Sequence, residues 1–88
     1  MKYFVYVIAS IKPFVKTYVG WTNNVNKRLK KHNLGKGAKS TRGRKWKIIY
    51  KEEFNNKINA LKREYKIKKD RNFRNLLKKR KLNISRLD

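Results

Sequence analysis

Tyr3-Phe4-Val5-Tyr6-Val7-Ile8-Ala9 and, after a short interruption, Lys16-Thr17-Tyr18-Val19-Gly20-Trp21 are the stretches whose reading decides the fold. The first is almost wholly β-branched or aromatic, a composition that fits a pleated surface. Ile11-Lys12-Pro13-Phe14 breaks it in the manner of a loop, and the second stretch resumes the pattern. Strands this close in sequence pair antiparallel, as a hairpin. Side chains alternate across a strand, so Phe4, Tyr6 and Ile8 share one face, and Tyr18 shares its face with Gly20. A register with Tyr6 and Tyr18 on the same side brings two phenols together beside the next element of the chain.

That next element has a helical period. Asn23 or Asn24 can cap a helix, because a side-chain oxygen there accepts from free backbone amides, and Val25, Leu29 and His32 recur at helical spacing. Arg28 and His32, four apart, lie on one face of it. Asn33-Leu34-Gly35 reads as its end, with Gly35 suited to the left-handed stop position. Residues 36–44 are glycine-rich and basic and hold no large apolar side chain, so they are expected to form an exposed loop outside the core. Trp46, Ile48, Ile49, Tyr50 and Phe54 predict a third strand, and Asn55-Asn56 a turn. In the next helix Ile58, Leu61 and Tyr65 lie on one side and Ala60 and Ile67 roughly opposite, which predicts contact with protein on more than one side. Phe73 to Leu82 predicts a further helix covering the remaining core through Phe73, Leu76 and Leu77. The expected fold class is α/β in the α+β sense: a three-stranded antiparallel sheet flanked by helices, one domain over 1–82, and a basic tail at 83–88.

The chain has 88 residues, enough for one modest core. Lys plus Arg number 27 against 5 Asp plus Glu, a formal net charge of +22, so the fold repels itself unless a polyanion binds. Nucleic acid is the expected partner, with affinity falling steeply as salt rises. An acidic membrane surface would also attract this charge, but attachment needs an apolar anchor or an amphipathic face beyond those that build the core, and none is read here. No stretch approaches membrane-spanning length, and the run from Tyr3 to Ala9 lacks a small-residue cleavage site, so a cytoplasmic protein is expected. The absence of cysteine excludes disulfides, thiol catalysis and Cys-ligated zinc, and a single histidine excludes His-rich metal sites.

Phe4-Val5-Tyr6 and Tyr18-Val19-Gly20 resemble the two tripeptides that name the GIY-YIG nuclease superfamily. The resemblance continues through the helix with Arg28 and His32 and the later Ala60-Leu61-Lys62-Arg63-Glu64-Tyr65, in the order this superfamily uses. The loop from Asn33 to Arg44 is similar to that of its small single-domain bacterial branch, and to the N-terminal domain of excision-repair incision nucleases. The likeness spans about Lys2 to Lys69. The first tripeptide lacks the glycine and isoleucine of the motif, the second has Val19 for isoleucine, and the bulky Trp21 directly after Gly20 bears on the shape of the site.

The resemblance implies a metal-dependent endonuclease that hydrolyses DNA phosphodiester bonds, leaving a 5′-phosphate and a 3′-hydroxyl. Larger relatives join this module to a recognition domain, and here little chain remains for one. Low sequence specificity is therefore expected, with preference for a structure such as single strands, flaps or damaged ends, or targeting by another protein, as in repair or recombination. By resemblance Tyr18 is the general base, Tyr6 its partner in organising the proton or a phosphate oxygen, Arg28 the phosphate clamp and Glu64 the metal ligand. His32 falls where the superfamily varies between histidine and tyrosine, and either relays a proton from Tyr18 or supports by hydrogen bonding. Gly20 provides backbone room near the site, or marks a bulge or close packing.

These types suit the reaction: diester hydrolysis needs a base for water, a cation against the phosphoryl oxygens and help for the leaving oxygen. A free phenol, with a pKa of about 10, is a poor base near neutrality. A neighbouring guanidinium, a bound divalent cation and the positive field all favour phenolate. The carboxylates are Glu52, Glu53, Glu64, Asp70 and Asp88, and only Glu64 falls at the family's position. The expected cofactor is accordingly one Mg²⁺ or Mn²⁺, held by Glu64, waters and the substrate phosphate, and weakly without DNA.

Plainer readings stand beside these. Glu64 can pair with Lys68 at helical spacing, an exposed contact worth roughly 0.3–0.5 kcal/mol. Glu52 and Glu53 cap a strand end or balance local charge. Trp21 and Trp46 serve core packing ahead of base stacking. Lys36, Lys39, Arg42 and Arg44 in the loop, with Lys68 and Lys69, are expected to track phosphates. Lys78 to Lys81 suits binding or solvation equally. The partner is DNA, with RNA as the alternative. The rival function is a nucleic-acid-binding protein that keeps the fold with little catalysis, on DNA or structured RNA. A module for an acidic partner leaves Tyr6, Tyr18, Arg28 and Glu64 unexplained.

Overall fold

The computed structural model describes residues 1–82, so the tail expected at 83–88 lies outside the described residues. The elements run β1 (Tyr3–Ser10), β2 (Lys16–Thr22), α1 (Val25–Asn33), a 3₁₀ turn (Lys39–Thr41), β3 (Lys47–Phe54), α2 (Lys57–Lys69) and α3 (Arg71–Leu82). The strands form one antiparallel sheet in the order β2-β1-β3, the α+β arrangement expected from the hydrophobic pattern.

β1 reads as an unbroken apolar run because it is central and covered on both faces. Val5, Val7 and Ala9 join Val19, Ile49, Ala60, Ile67 and Leu77 in one core beneath α2 and α3. The alternate residues Tyr6 and Ile8 join Trp46 in a second core, flanked by Tyr18, Leu29 and Ile48. β3 serves both by alternation, and a bulge adds a residue to the first. Val7 lies opposite Tyr50 and Ile8 opposite Ile48, leaving Ile49 as the extra residue that turns into the first core.

Side-chain caps set the helix starts. The Asn24 amide oxygen accepts from the Lys27 N–H, which selects Asn24 over Asn23. Asn56, expected in a turn, also caps α2 through the Asn59 N–H. Asp70 accepts from the Phe73 N–H, so α3 begins two residues before Phe73, at Arg71.

Three expectations need correction. α2 packs through one stripe only: Ala60 and Ile67 are buried, while Ile58, Leu61 and Tyr65 are 64%, 38% and 59% exposed. The small Ala60 lets the helix approach the sheet closely, and the side with larger apolar residues is left in solvent. Leu76 does not cover the core; it is largely exposed, and Leu77 and Phe73 fill that role. Glu52 is neither a strand cap nor loose surface charge. Both its oxygens lie 3.0–3.1 Å from Arg63 Nε, the Tyr50 hydroxyl donates to it, and Arg63 lies over the Phe73 ring, so the cluster pins α2 and α3 to β3. Glu53 does balance charge, in an exposed pair with Lys2 at 3.0 Å.

Ile67→Ala should lower unfolding free energy by about 2–5 kcal/mol, the range for emptying a buried aliphatic site. Ile58→Ala should stay within about 0.5 kcal/mol of wild type, as for an exposed side chain. Urea denaturation followed by circular dichroism compares the two, and equal effects would mean that both stripes of α2 are packed.

Candidate active site

The hairpin register sets Tyr6 opposite Gly20 and Ile8 opposite Tyr18, so the two phenols share a face on neighbouring strands. Their ring centroids are 6.4 Å apart. Gly20 is explained by close packing: a Cβ there would lie 2.5 Å from Tyr6 Oη and 3.1 Å from Tyr18 Cε2. The Tyr6 ring lies across the glycine and occupies the space a side chain would need. Val19 faces the aliphatic core, where it serves as isoleucine would. Trp21 alternates away from Gly20, lies 6.3 Å from the Tyr3 ring and has Lys57 Nζ 4.9 Å from its own, clear of the two phenols.

Behind the phenols lies a fully buried polar chain. Tyr6 Oη and His32 Nε2 are 2.8 Å apart, and His32 Nδ1 is 2.9 Å from Thr41 Oγ1. Thr41 Oγ1 is in turn 2.9 Å from the Ala38 carbonyl oxygen and accepts from the Ala38 N–H at 3.1 Å. Two oxygens that close need a proton between them, so the Thr41 hydroxyl donates to Ala38. Its oxygen is then the acceptor for His32 Nδ1–H. This assigns His32 as a neutral ring with Nε2 unprotonated, and Tyr6 O–H as the donor to it.

The loop is therefore anchored, contrary to the expectation that it stays wholly outside the core. Thr41 is buried, its carbonyl accepts from Trp46 Nε1–H at 2.8 Å, and the Asn33 side chain bonds both backbone groups of Trp46. Gly37 passes against the His32 ring, where a Cβ would lie 2.7 Å from Cε1. Trp46 is core, as expected. Sequence reasoning missed Thr41, Gly37 and Asn33 as parts of the site's support. A threonine in a glycine-rich basic loop carries no periodicity to mark it as a histidine's partner.

Burial pushes the Tyr6 phenol up to about 12, with Tyr18 and Glu64 adding to the rise and the Arg28 guanidinium opposing it. Burial also lowers the pKa of His32, helped by the positive charge of Arg28 one turn earlier. Arg28 is half-buried, and its Nε is buried without a hydrogen-bond partner. Glu64 sits on the packed side of α2 between Ala60 and Ile67, with its side chain 16% exposed and Lys68 Nζ 3.4 Å from Oε2. The structure thus brings Tyr6, Tyr18, Gly20, Arg28, His32 and Glu64 into one neighbourhood.

The expected phosphate-tracking residues divide by circumstance. Lys36, Lys39 and Arg42 are exposed. Arg44 instead donates to the Phe14 carbonyl at 2.9 Å and lies over its ring, while Lys16 donates to the Ser40 carbonyl, so the β1–β2 turn and the basic loop are tied together. Lys68 rests on Glu64, and Lys69 lies 4.4 Å from the Tyr65 ring centroid.

No group of three or more His, Cys, Asp or Glu that could hold a metal gathers among the described residues. A lone carboxylate fits a hard cation that keeps most of its waters and takes further oxygens from substrate, as Mg²⁺ or Mn²⁺ does, and does not fit an all-protein cage.

His32 gives a pH dependence of stability with a definite sign. Its folded pKa lies below the unfolded value of about 6.5, so just below that pH the unfolded chain binds more protons and stability rises with pH. The contribution is full above the unfolded pKa and is lost as pH falls toward the folded one. Thermal unfolding should show a midpoint that drops from about pH 7.5 to about pH 5, with a flatter dependence in His32→Gln. An unchanged slope in that variant would show that the dependence belongs to other groups.

Residues 2–81 match the model of the GIY-YIG catalytic domain. A UPF0213 protein of Clostridium perfringens is 60% identical over 53 residues, covering 59% of this chain and 57% of that protein. One of Oceanobacillus iheyensis is 50% identical over 58% of this chain and 60% of its own length, so these alignments span less than two thirds of those relatives. A UPF0213 protein of Staphylococcus epidermidis is 44% identical over 68 residues, 76% of this chain and 80% of that one. The solution NMR structure of a UPF0213 protein from Bacillus halodurans aligns with a TM-score of 0.52 at 35% identity, over 88% of this chain and 82% of that one. A family match over nearly the whole chain, on a hairpin that holds both tyrosines against one glycine, establishes that the protein belongs to the GIY-YIG family of nuclease-type domains, in its small UPF0213 group.

Proposed function

We propose that the protein is a divalent-metal-dependent endonuclease that hydrolyses phosphodiester bonds in DNA with low sequence specificity, with residues 1–82 as the working unit. The observation that carries this reading is the inequality of the two phenols. Tyr6 is sealed, raised to about 12 and donates its proton to His32. Tyr18 is the half-exposed one, on the same face.

In this reading Tyr18 takes the proton from the attacking water. Arg28, half-buried beside the two phenols, neutralises charge on the non-bridging phosphoryl oxygens. Glu64 would hold Mg²⁺ or Mn²⁺ in place of its contact with Lys68, and a cation there supplies charge stabilisation at the phosphoryl and leaving oxygens. Attack opens the bond to the 3′ oxygen, leaving a 5′-phosphate and a 3′-hydroxyl. His32 acts as a support: both ring nitrogens are already engaged, so it fixes Tyr6, which in turn packs over Gly20 and beside Tyr18. The exposed Lys36, Lys39 and Arg42 hold the flanking backbone, and the overall charge of +22 raises the encounter rate. Guidance by DNA structure, as in repair or recombination, suits a site built for phosphate and not for base edges.

Labelled single-stranded, duplex and branched DNA, and RNA, should be incubated with purified protein in Mg²⁺, Mn²⁺ or chelator. Cutting should require the cation and fall at least about 100-fold in both Glu64→Ala and Tyr18→Phe, the scale on which general-base catalysis is lost. Cutting that persists in chelator, or survives both substitutions, rejects the mechanism.

A further inference from the structure

The exposed apolar stripe on α2 has a position that gives it a use. Ile58, Leu61 and Tyr65 are spaced three and four apart, so they form one continuous apolar strip along the helix. Each is exposed, and Tyr65 presents a ring with Lys69 Nζ 4.4 Å from its centroid. The strip borders the candidate active site. Leu61 lies one turn before Glu64, and Lys68, the partner of Glu64, lies two turns after Leu61 on the same side.

The surroundings identify what would cover it. Lys57, Lys62, Lys66, Lys68 and Lys69 flank the strip, and Glu64 is the only acid on the helix. A second copy of this chain would bring an equally basic face against it, with +22 on each partner. The surface suits a ligand that is both polyanionic and apolar. Duplex nucleic acid offers its phosphates outward and keeps its base faces stacked inside. A strand with unpaired nucleotides offers both, its backbone to the lysines and its base faces to Tyr65 and Leu61.

We propose that the Ile58-Leu61-Tyr65 strip seats unpaired bases next to the bond being cut, so that the substrate class is a single strand or flap and not intact duplex. Its placement beside the scissile phosphate rests on the nuclease reading; the binding preference does not.

The two are separated by measuring binding without cutting. Fluorescence anisotropy in chelator, over a range of salt, would compare the full chain with Tyr65→Ala, Leu61→Ala and Tyr65→Phe on a labelled oligothymidine strand, an oligouridine strand and a duplex hairpin of equal phosphate count. Tyr65→Ala should weaken binding to at least one of the single strands about tenfold, while the duplex changes by less than about twofold and Tyr65→Phe restores the loss. The slope of log affinity against log salt should stay unchanged, because no phosphate contact is removed. Alanine favours helix, and circular dichroism checks that both alanine variants keep theirs. Equal losses on single strands and duplex, or no loss on either single strand, would overturn the proposal. So would a wild-type dimer in size exclusion that Leu61→Ala dissociates. If wild type never cuts yet the selective loss appears, the nuclease reading fails and the strip's role stands.

Discussion

The hydrogen-bonded chain from Tyr6 through His32 to Thr41 joins three pieces of the protein: the central strand, the first helix and a basic loop. All three side chains are buried, so each bond left unmade would strand a polar group away from water at a cost of about 1–3 kcal/mol. Two glycines are explained by it. Gly20 is small because the Tyr6 ring crosses it, and Gly37 is small because the His32 ring does. The loop then has little freedom, since Thr41 and Trp46 are held within it by that chain and by Asn33.

β1 divides two tasks between its faces. Val5, Val7 and Ala9 supply the aliphatic packing that holds α2 and α3, and Tyr6 and Ile8 face the other way, toward Trp46 and the candidate site. Glu64 reaches that neighbourhood from a helix packed on the other core, which is possible because α2 runs across both β1 and β2. The bulge at Ile49 keeps β3 paired along its length while letting the adjacent Ile49 and Tyr50 both pack on the aliphatic core.

Much of this was legible in the sequence because it obeys local rules. The hairpin came from two strand-forming runs and a breaker, the shared face of Tyr6 and Tyr18 from a period of two, and the pairing of Arg28 with His32 from a spacing of four. The parts that were not legible depend on contacts without a period. Thr41 meets His32 across a loop, and Glu52 meets Arg63 from a strand to a helix. The orientation of α2 was hidden for a different reason. Both of its stripes are apolar, so periodicity identified two faces, and only the close approach allowed by Ala60 decides which one turns inward.

The contrast in burial between Tyr6 and Glu64 bears on how such sequences diverge. A descendant that lost catalysis would still need Tyr6, His32, Gly20 and Gly37 to fold, because they fill and shape the interior. Glu64, 16% exposed on α2 and paired with Lys68, takes no part in that hydrogen-bonded chain. The tripeptides after which the family is named are in this respect records of folding, and they would persist in silent copies.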